Sequence, residues 1–154
     1  MNMQAELQSQ PEPTTDTVIL EFDPRKFSID QFDLSLAEPT VLIVDDELLI
    51  RDLLVEVMQN RGFTVLEAAD AEQASVILGN MNNRVDVLIS DIRLPGMDGR
   101  ELAKVARNLR PDLKVLFLSG YASAPREGYL DSSTEFMAKP FRINEVAEHV
   151  EALL

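Results

Sequence analysis

The sequence predicts an α/β protein with a doubly wound, five-stranded parallel sheet and five helices on its two faces. Two observations support this prediction. Short apolar runs alternate with segments whose apolar residues recur every three or four positions. The runs are apolar on both faces, as buried parallel strands are, and strands that alternate with helices favour right-handed parallel connections. The 154 residues are enough for one such domain and a short extension.

The first predicted unit is a strand at residues 41–44 followed by a helix. The strand reads Val-Leu-Ile-Val and ends in acidic residues. Helical spacing then recurs at Ile50, Leu53, Leu54 and Val57. Gly62 follows Arg61 and is suited to a left-handed helix cap.

The second predicted unit is a strand at residues 64–69 with a helix that runs to about Asn80. Asp70 and Gln73 form a start that resembles a capping box. The helix is expected to bury Ala74, Ile77 and Leu78.

The third predicted strand covers residues 85–90 and leads into Asp91. After a loop, Asp98 and Glu101 open the next helix. The residues expected to face inward are Leu102, Val105, Ala106 and Leu109.

The last predicted elements are strands at residues 115–119 and 135–138 and a C-terminal helix. Between the strands, residues 120–133 form a weak, polar helical region. Asn144 is expected to cap the C-terminal helix. Its sheet-facing residues are expected to be Val146, Val150 and Leu153.

Five such units suit the flavodoxin-like strand order 2-1-3-4-5, in which the functional site lies at the carboxyl ends of the strands. Polar side chains stand at the ends of four predicted strands, and we expect them to converge on one edge of the sheet. They are Asp45, Asp46, Asp91, Ser119 and Lys139.

The chain divides into an acidic N-terminal extension, residues 1–38, and a regular domain, residues 39–154. The extension holds 8 acidic and 2 basic residues, and its first 17 are polar enough to be predicted disordered. Scattered apolar residues follow at 18–38, and Pro39 marks the boundary.

Composition excludes several classes of function. The sequence has no cysteine, which rules out disulfides and thiolate chemistry. A net charge of −13 argues against nucleic-acid binding by this chain alone. No apolar run reaches the 18 or so residues of a membrane span and no secretory signal is recognisable, so we expect a cytoplasmic protein.

The acidic residues at the sheet edge predict metal-dependent phosphoryl chemistry. Two like charges at 4 Å repel by about 4 kcal/mol at an effective dielectric constant of 20, so Asp45, Asp46 and Asp91 need a counterion. Mg²⁺ suits a site with few protein oxygens and space for water and phosphate. A carboxylate such as Asp91 can act as a nucleophile toward phosphorus, with Lys139 supplying positive charge and Ser119 a hydroxyl for a phosphoryl oxygen.

Four motifs closely resemble those of response regulator receiver domains, the chemotaxis-regulator-like modules of two-component signalling. They are VLIVDDE at 41–47, LISDIRLPGMDG at 88–99, LFLSGYA at 116–122 and MAKPF at 137–141. The resemblance covers about residues 39–154, with all four motifs in the order and spacing of the family.

The resemblance implies a role for each site residue. Asp91 is the phosphoacceptor, and Asp46, Asp91 and the backbone carbonyl of Arg93 bind Mg²⁺, with Asp45 assisting through water. Lys139 pairs with the phosphoryl group, and its bond to the following proline is cis. Two further positions act as the conformational switch of the family, namely Ser119 and Phe136.

The function implied is a stand-alone, phosphorylatable switch that is not an enzyme beyond its own phosphoryl transfer and dephosphorylation. Its phosphodonor would be a sensor histidine kinase or a histidine phosphotransfer protein, and its signal would pass to a downstream protein by contact. Three alternatives remain open. The chain could be a receiver fragment of a hybrid kinase, or a receiver-like module that never takes phosphate. A haloacid-dehalogenase-like phosphatase would need an acid two residues after Asp91, where Arg93 stands.

Overall fold

The structure is a computed structural model that describes residues 37–120 and 131–154. Five strands and four helices lie in these ranges, in the order β1 Thr40–Val44, α1 Leu48–Asn60, β2 Thr64–Ala68, α2 Ala71–Gly79, β3 Val87–Asp91, α3 Gly99–Leu109, β4 Lys114–Ser119, β5 Thr134–Ala138 and α4 Ile143–Leu153. The helix expected within 120–133 and most of the N-terminal extension fall outside the described residues. None of the helices in the described ranges combines the length and apolar character that a bilayer crossing requires.

The five strands form one parallel sheet in the order β2-β1-β3-β4-β5, which confirms the predicted topology. Both β1 and β3 are buried along their whole length because each has a strand on either side and helices above and below. The register pairs Asp91 with Leu118 and Ser119 with Ala138. The ends of β3, β4 and β5 therefore lie side by side, with the end of β1 next to β3.

Alternate residues of each strand enter two separate cores. The α1–α4 core lies on one face and includes Val41, Ile43, Leu54, Met58, Ile89, Val146 and Val150. The α2–α3 core lies on the other face and includes Leu42, Val44, Ala74, Leu78, Leu88, Leu102 and Ala106. The sheet is thus covered by helices on both faces, as predicted.

Local signals for helix ends are partly confirmed. The side chain of Asp70 accepts a hydrogen bond from the backbone N–H of Gln73 at 2.8 Å, and Gly62 has a positive φ of 88° just after α1. The prediction that Asn144 caps the last helix is wrong. That helix begins at Ile143 with Arg142 at the N-cap position, and no side chain there makes a capping hydrogen bond.

The inward face of α3 differs from the predicted one. Val105 and Leu109 are 41% and 42% exposed, although their apolar character suggested that both are buried. Leu102 and Ala106 are buried as expected, and the other buried residues of α3 are Gly99 and Ala103. In α2, Ile77 is only partly buried, whereas Ala74 and Leu78 are buried as expected.

Candidate functional site

Three carboxylates meet at the carboxyl edge of the sheet. Asp45 and Asp46 follow β1, and Asp91 is the last residue of β3. One oxygen from each lies within 4.8 Å of the others. Asp45 and Asp91 are buried, whereas Asp46 is exposed. The predicted convergence of these residues is therefore what the fold produces.

Asp45 is fixed by contacts on both of its carboxylate oxygens. Oδ1 accepts the backbone N–H of Glu47 at 2.9 Å, and Oδ2 lies 3.5 Å from the ammonium of Lys139. Burial raises the pKa of Asp45 above its usual value, although the Glu47 N–H and the Lys139 charge act in the opposite direction. The carboxylate of Asp46, by contrast, makes no hydrogen bond or ion pair with any residue that the structure describes.

Asp91 is held in place but remains accessible. Its Oδ2 accepts a hydrogen bond from Lys139 Nζ at 2.7 Å, and its Oδ1 accepts the backbone N–H of Arg93 at 2.9 Å. The side chain keeps 10% of its surface exposed. Its backbone carbonyl accepts the buried hydroxyl of Ser90 at 2.9 Å. A carboxylate that is oriented in this way can meet an incoming electrophile in one defined direction.

Lys139 is the cation of the cluster. Its Nζ lies 2.7 Å from Asp91, 3.5 Å from Asp45 and 3.9 Å from Glu47. Burial alone would lower the pKa of Lys139, but the Asp91 hydrogen bond and the surrounding negative charges outweigh it and raise that pKa. The lysine therefore stays charged over the whole neutral range. The peptide bond between Lys139 and Pro140 is cis, as the resemblance implied.

Ser119 ends β4 beside these groups. It is 1% exposed, and its Oγ has no hydrogen-bond partner among the described residues. Its backbone carbonyl accepts the N–H of Lys139 at 2.8 Å, which joins the two strand ends. An unpaired buried hydroxyl costs about 1–3 kcal/mol, so this atom is available for a partner that residues 37–120 and 131–154 do not supply.

Phe136, the second predicted switch residue, lies in β5 opposite Phe117. Its ring is partly buried and packs against the α2–α3 core. This placement is consistent with an ordinary core residue as well as with a switch, so the switch role stays a prediction.

The donor set suits a small hard cation. Every side-chain ligand in the cluster is a carboxylate oxygen, and Mg²⁺ binds through one or two carboxylates while it keeps several waters. The exposed Asp46 carboxylate, which has no protein partner in the described ranges, is the group that a cation would satisfy. The backbone N–H of Arg93 points to Asp91, while the role of its carbonyl as a ligand stays a prediction.

Three residues near the cluster were not identified from the sequence. Glu47 lies within 3.9 Å of the lysine, and its position next to two acids was a usable signal. Arg51 donates to the backbone carbonyl of Asp45 at 2.7 Å, a contact that depends on the direction in which α1 leaves the turn. Gly99 packs against the backbone carbonyl of Asp91.

Comparison with known proteins identifies the family of the chain. The family model described as response regulator receiver domain matches residues 41–151. The sensor kinase CckA of Brucella abortus is 39% identical over 117 residues, which are 75% of this chain and 12% of that protein. Sporulation initiation phosphotransferase F of Bacillus subtilis is 34% identical over 117 residues, or 74% of this chain and 92% of that protein. The chain thus spans a small part of some relatives and nearly all of others.

Solved structures of receiver domains and response regulators also match this chain. The receiver domain of the hybrid histidine kinase CckA matches with a TM-score of 0.63 at 36% identity, over 75% of this chain and 99% of that one. The response regulator TrrA of Thermotoga maritima, solved in complex with Mg(2+)-BeF, matches with a TM-score of 0.66 at 32% identity. That match covers 75% of this chain and 99% of the other.

Proposed function

Because the chain belongs to the response regulator receiver family, we propose that it is a stand-alone, Mg²⁺-dependent receiver that takes a phosphoryl group on Asp91. The phosphodonor is a sensor histidine kinase or a histidine phosphotransfer protein, and the output is a changed contact with a downstream protein. The receiver domain comprises residues 39–154 in this assignment, and residues 1–38 form an acidic N-terminal extension. The similarity to sporulation initiation phosphotransferase F, which extends over 92% of that protein, supports the stand-alone role.

The observation that carries this proposal is the contact between Lys139 Nζ and Asp91 Oδ2 at 2.7 Å, next to two further carboxylates. The contact aligns the nucleophile and provides positive charge where negative charge develops during phosphoryl transfer. A purely structural ion pair would need only one carboxylate. Three carboxylates around one lysine leave a surplus of negative charge that a divalent cation neutralises.

Phosphoryl transfer follows from these positions. A carboxylate oxygen of Asp91 forms the new bond to phosphorus as the bond between phosphorus and the donor's histidine nitrogen breaks, and the electron pair leaves with the nitrogen. Lys139 and the Ser119 hydroxyl then bind phosphoryl oxygens. Asp46, Asp91 and the carbonyl of Arg93 would hold Mg²⁺, with Asp45 assisting through water. Magnesium supplies the remaining positive charge when bound.

The switch follows from the Ser119 hydroxyl. When it bonds a phosphoryl oxygen, the end of β4 is favoured in a new position, and Phe136 on the neighbouring strand turns inward. The change is a shift between two existing conformations, because phosphorylation stabilises the state in which the hydroxyl reaches the phosphate. The receiver catalyses no reaction other than its own phosphorylation and dephosphorylation.

The test is incubation with acetyl phosphate and Mg²⁺, followed by measurement of intact mass. We expect wild type to gain one phosphoryl group and Asp91→Asn to gain none. Asp112→Asn, which removes an exposed acid outside the site, is the matched control and should behave like wild type. Phosphoryl gain by the Asp91→Asn variant, or none by the wild type, would overturn the proposal.

A receiver within a hybrid kinase is the second candidate, favoured by the match to the CckA receiver domain. It predicts the same chemistry and differs only in its phosphodonor. Comparison of labelling rates by a free phosphotransfer protein and by kinase domains separates the two. A module that takes no phosphate would show no amide chemical-shift change on addition of beryllofluoride and Mg²⁺.

A further inference from the structure

The Asp45–Asp46 turn is held by a residue outside the carboxylate cluster. Arg51 lies in the first turn of α1, and its side chain is only 13% exposed. Its Nη1 donates to the backbone carbonyl of Asp45 at 2.7 Å, a short, charge-assisted hydrogen bond. Its Nε lies 3.8 Å from Glu67 Oε2 on β2, so the guanidinium is directed from two sides.

These contacts decide where Asp46 lies. The peptide before Asp46 is fixed at its carbonyl by Arg51, and the peptide after it is fixed at the Glu47 N–H by the carboxylate of Asp45. The Asp46 side chain has no other partner in the described part of the chain. Its position therefore depends on the backbone. These two bonds hold that backbone together with the bond from the Asp45 N–H to the Ala68 carbonyl at 3.3 Å and the bond from the Arg51 N–H to the Glu47 carbonyl at 3.0 Å.

We propose that Arg51 is a positioning residue for the metal site, because it fixes the turn that presents the Asp46 carboxylate to the cation. The inference rests on the proposed function, since it takes the acidic cluster as a Mg²⁺ site. Groups that orient metal ligands without touching the metal typically change affinity by about 10–100-fold when they are removed.

A competing effect has the opposite sign. Arg51 is a cation near a site that binds a cation, so its charge alone would weaken Mg²⁺ binding, and its removal would strengthen it. Glu67 lies close enough to reduce that repulsion, although it is 54% exposed and screened by water. Positioning and charge can thus be separated by experiment.

The experiment is a Mg²⁺ titration of the full chain, followed by calorimetry and by the amide chemical shift of Asp46. Wild type is compared with three variants, namely Arg51→Gln, Arg51→Lys and Glu67→Gln. We expect Arg51→Gln to raise the Kd for Mg²⁺ about tenfold or more. Arg51→Lys should raise it by less, and Glu67→Gln, which keeps the bond to Asp45, should change it by less than about twofold. The Asp46 amide of Arg51→Gln should already be shifted without Mg²⁺, which an effect of charge alone on the metal would not require.

Three results would overturn the inference or its premise. Mg²⁺ binding by Arg51→Gln as tight as that of wild type, or tighter, would show that charge rather than positioning dominates. A loss in Glu67→Gln as large as that in Arg51→Gln would show that the effect does not come from the bond between Arg51 and Asp45, and it would also overturn the inference. Absence of Mg²⁺ binding by the wild type itself would overturn the proposed function instead. Urea unfolding verifies that each variant is folded. If Arg51→Gln does not fold, the Arg51→Lys variant decides: a Kd for Mg²⁺ equal to that of wild type overturns the inference, and a raised Kd supports it.

Discussion

Gly99 is the first residue of α3, and it lies where a side chain cannot fit. A Cβ at this position would be 2.2 Å from the backbone carbonyl oxygen of Asp91 and 3.0 Å from Cα of Ile92. Gly99 also donates its N–H to the carbonyl of Ile92 at 2.7 Å, so the helix start cannot simply move away. In Gly99→Ala, the end of β3 and the start of α3 must separate by at least 0.8 Å to bring the closest contact to 3.0 Å.

The cost can be worked out from these contacts. Overpacking of this kind costs about 1–3 kcal/mol, and the upper part of that range applies because the atoms that clash are backbone atoms. Replacement of glycine by alanine in a helix returns up to about 1 kcal/mol. We therefore expect Gly99→Ala to lose about 1–2 kcal/mol of unfolding free energy. The displaced Asp91 should also accept phosphate from acetyl phosphate about 10–100-fold more slowly.

Urea unfolding and the rate of mass gain measure the two effects. Gly79→Ala is the matched control, because a Cβ at Gly79, the last residue of α2, has no heavy atom within 4 Å. It should be neutral or stabilised by up to about 1 kcal/mol and should be phosphorylated at the wild-type rate. Wild-type stability and rate in Gly99→Ala would refute the reasoning that the helix start and the nucleophile are in direct contact.

Three further predictions concern charge. Asp46→Asn should be more stable than wild type by about 1 kcal/mol without metal, which is the repulsion of two charges at about 4 Å in water. Millimolar Mg²⁺ should stabilise wild type but not the variant, and an equal response of the two proteins in thermal unfolding would contradict this. Lys139→Gln leaves buried Asp45 and Asp91 without their cation, so urea unfolding should show a loss of about 3–5 kcal/mol at pH 7. The loss should be smaller at acid pH, because burial raises the pKa of Asp45 and its carboxylate takes up a proton there; a loss that does not change with pH would be inconsistent. Hydrogen bonds from the Arg100 side chain hold the pKa of Asp98 below its usual 3.8. The charged form of Asp98 therefore stabilises the fold above pH 3.8, and this stabilisation is lost as the pH falls through the lowered pKa. Asp98→Asn should be less stable than wild type at neutral pH and equal to it in strong acid, and a constant difference would exclude this contribution.

The sheet and its functional edge were predictable because both depend on simple patterns. Runs that are apolar on both faces fit only central parallel strands, and parallel strands bring their carboxyl ends together. Asp91 and Lys139 are 48 residues apart, yet the strand order brings both of them to the same edge of the sheet. The resemblance to receivers added the assignment of roles, and the matches to known receivers confirm the family.

The face of α3 could not be read from hydrophobicity. Ala103 is buried while the larger Val105 is 41% exposed, and the buried face combines Leu102 with three small residues, Gly99, Ala103 and Ala106. The close approach begins at Gly99, which leaves no space beside the Asp91 carbonyl. Period and apolar character predict that a helix exists, but the distance between helix and sheet decides which side chains fit between them.

The bond from Arg51 to Asp45 was also beyond sequence reasoning. It joins a side chain to a backbone carbonyl six residues earlier, and no pattern of residue types indicates such a contact. Asn144 shows the reverse case, because its type suggested a cap but the helix starts one residue earlier. Local propensity is a weak guide wherever the tertiary structure fixes the path of the chain.

The Ser119 hydroxyl, which has no hydrogen-bond partner in the described ranges, has a consequence for sequence optimisation. A procedure that maximised only the stability of the resting domain would select alanine at this position, because alanine fills nearly the same volume and leaves no unsatisfied oxygen. Stabilised designs of this protein should therefore keep residue 119 fixed, since the most favourable replacement for the fold would remove the hydroxyl that, under the proposed function, binds a phosphoryl oxygen.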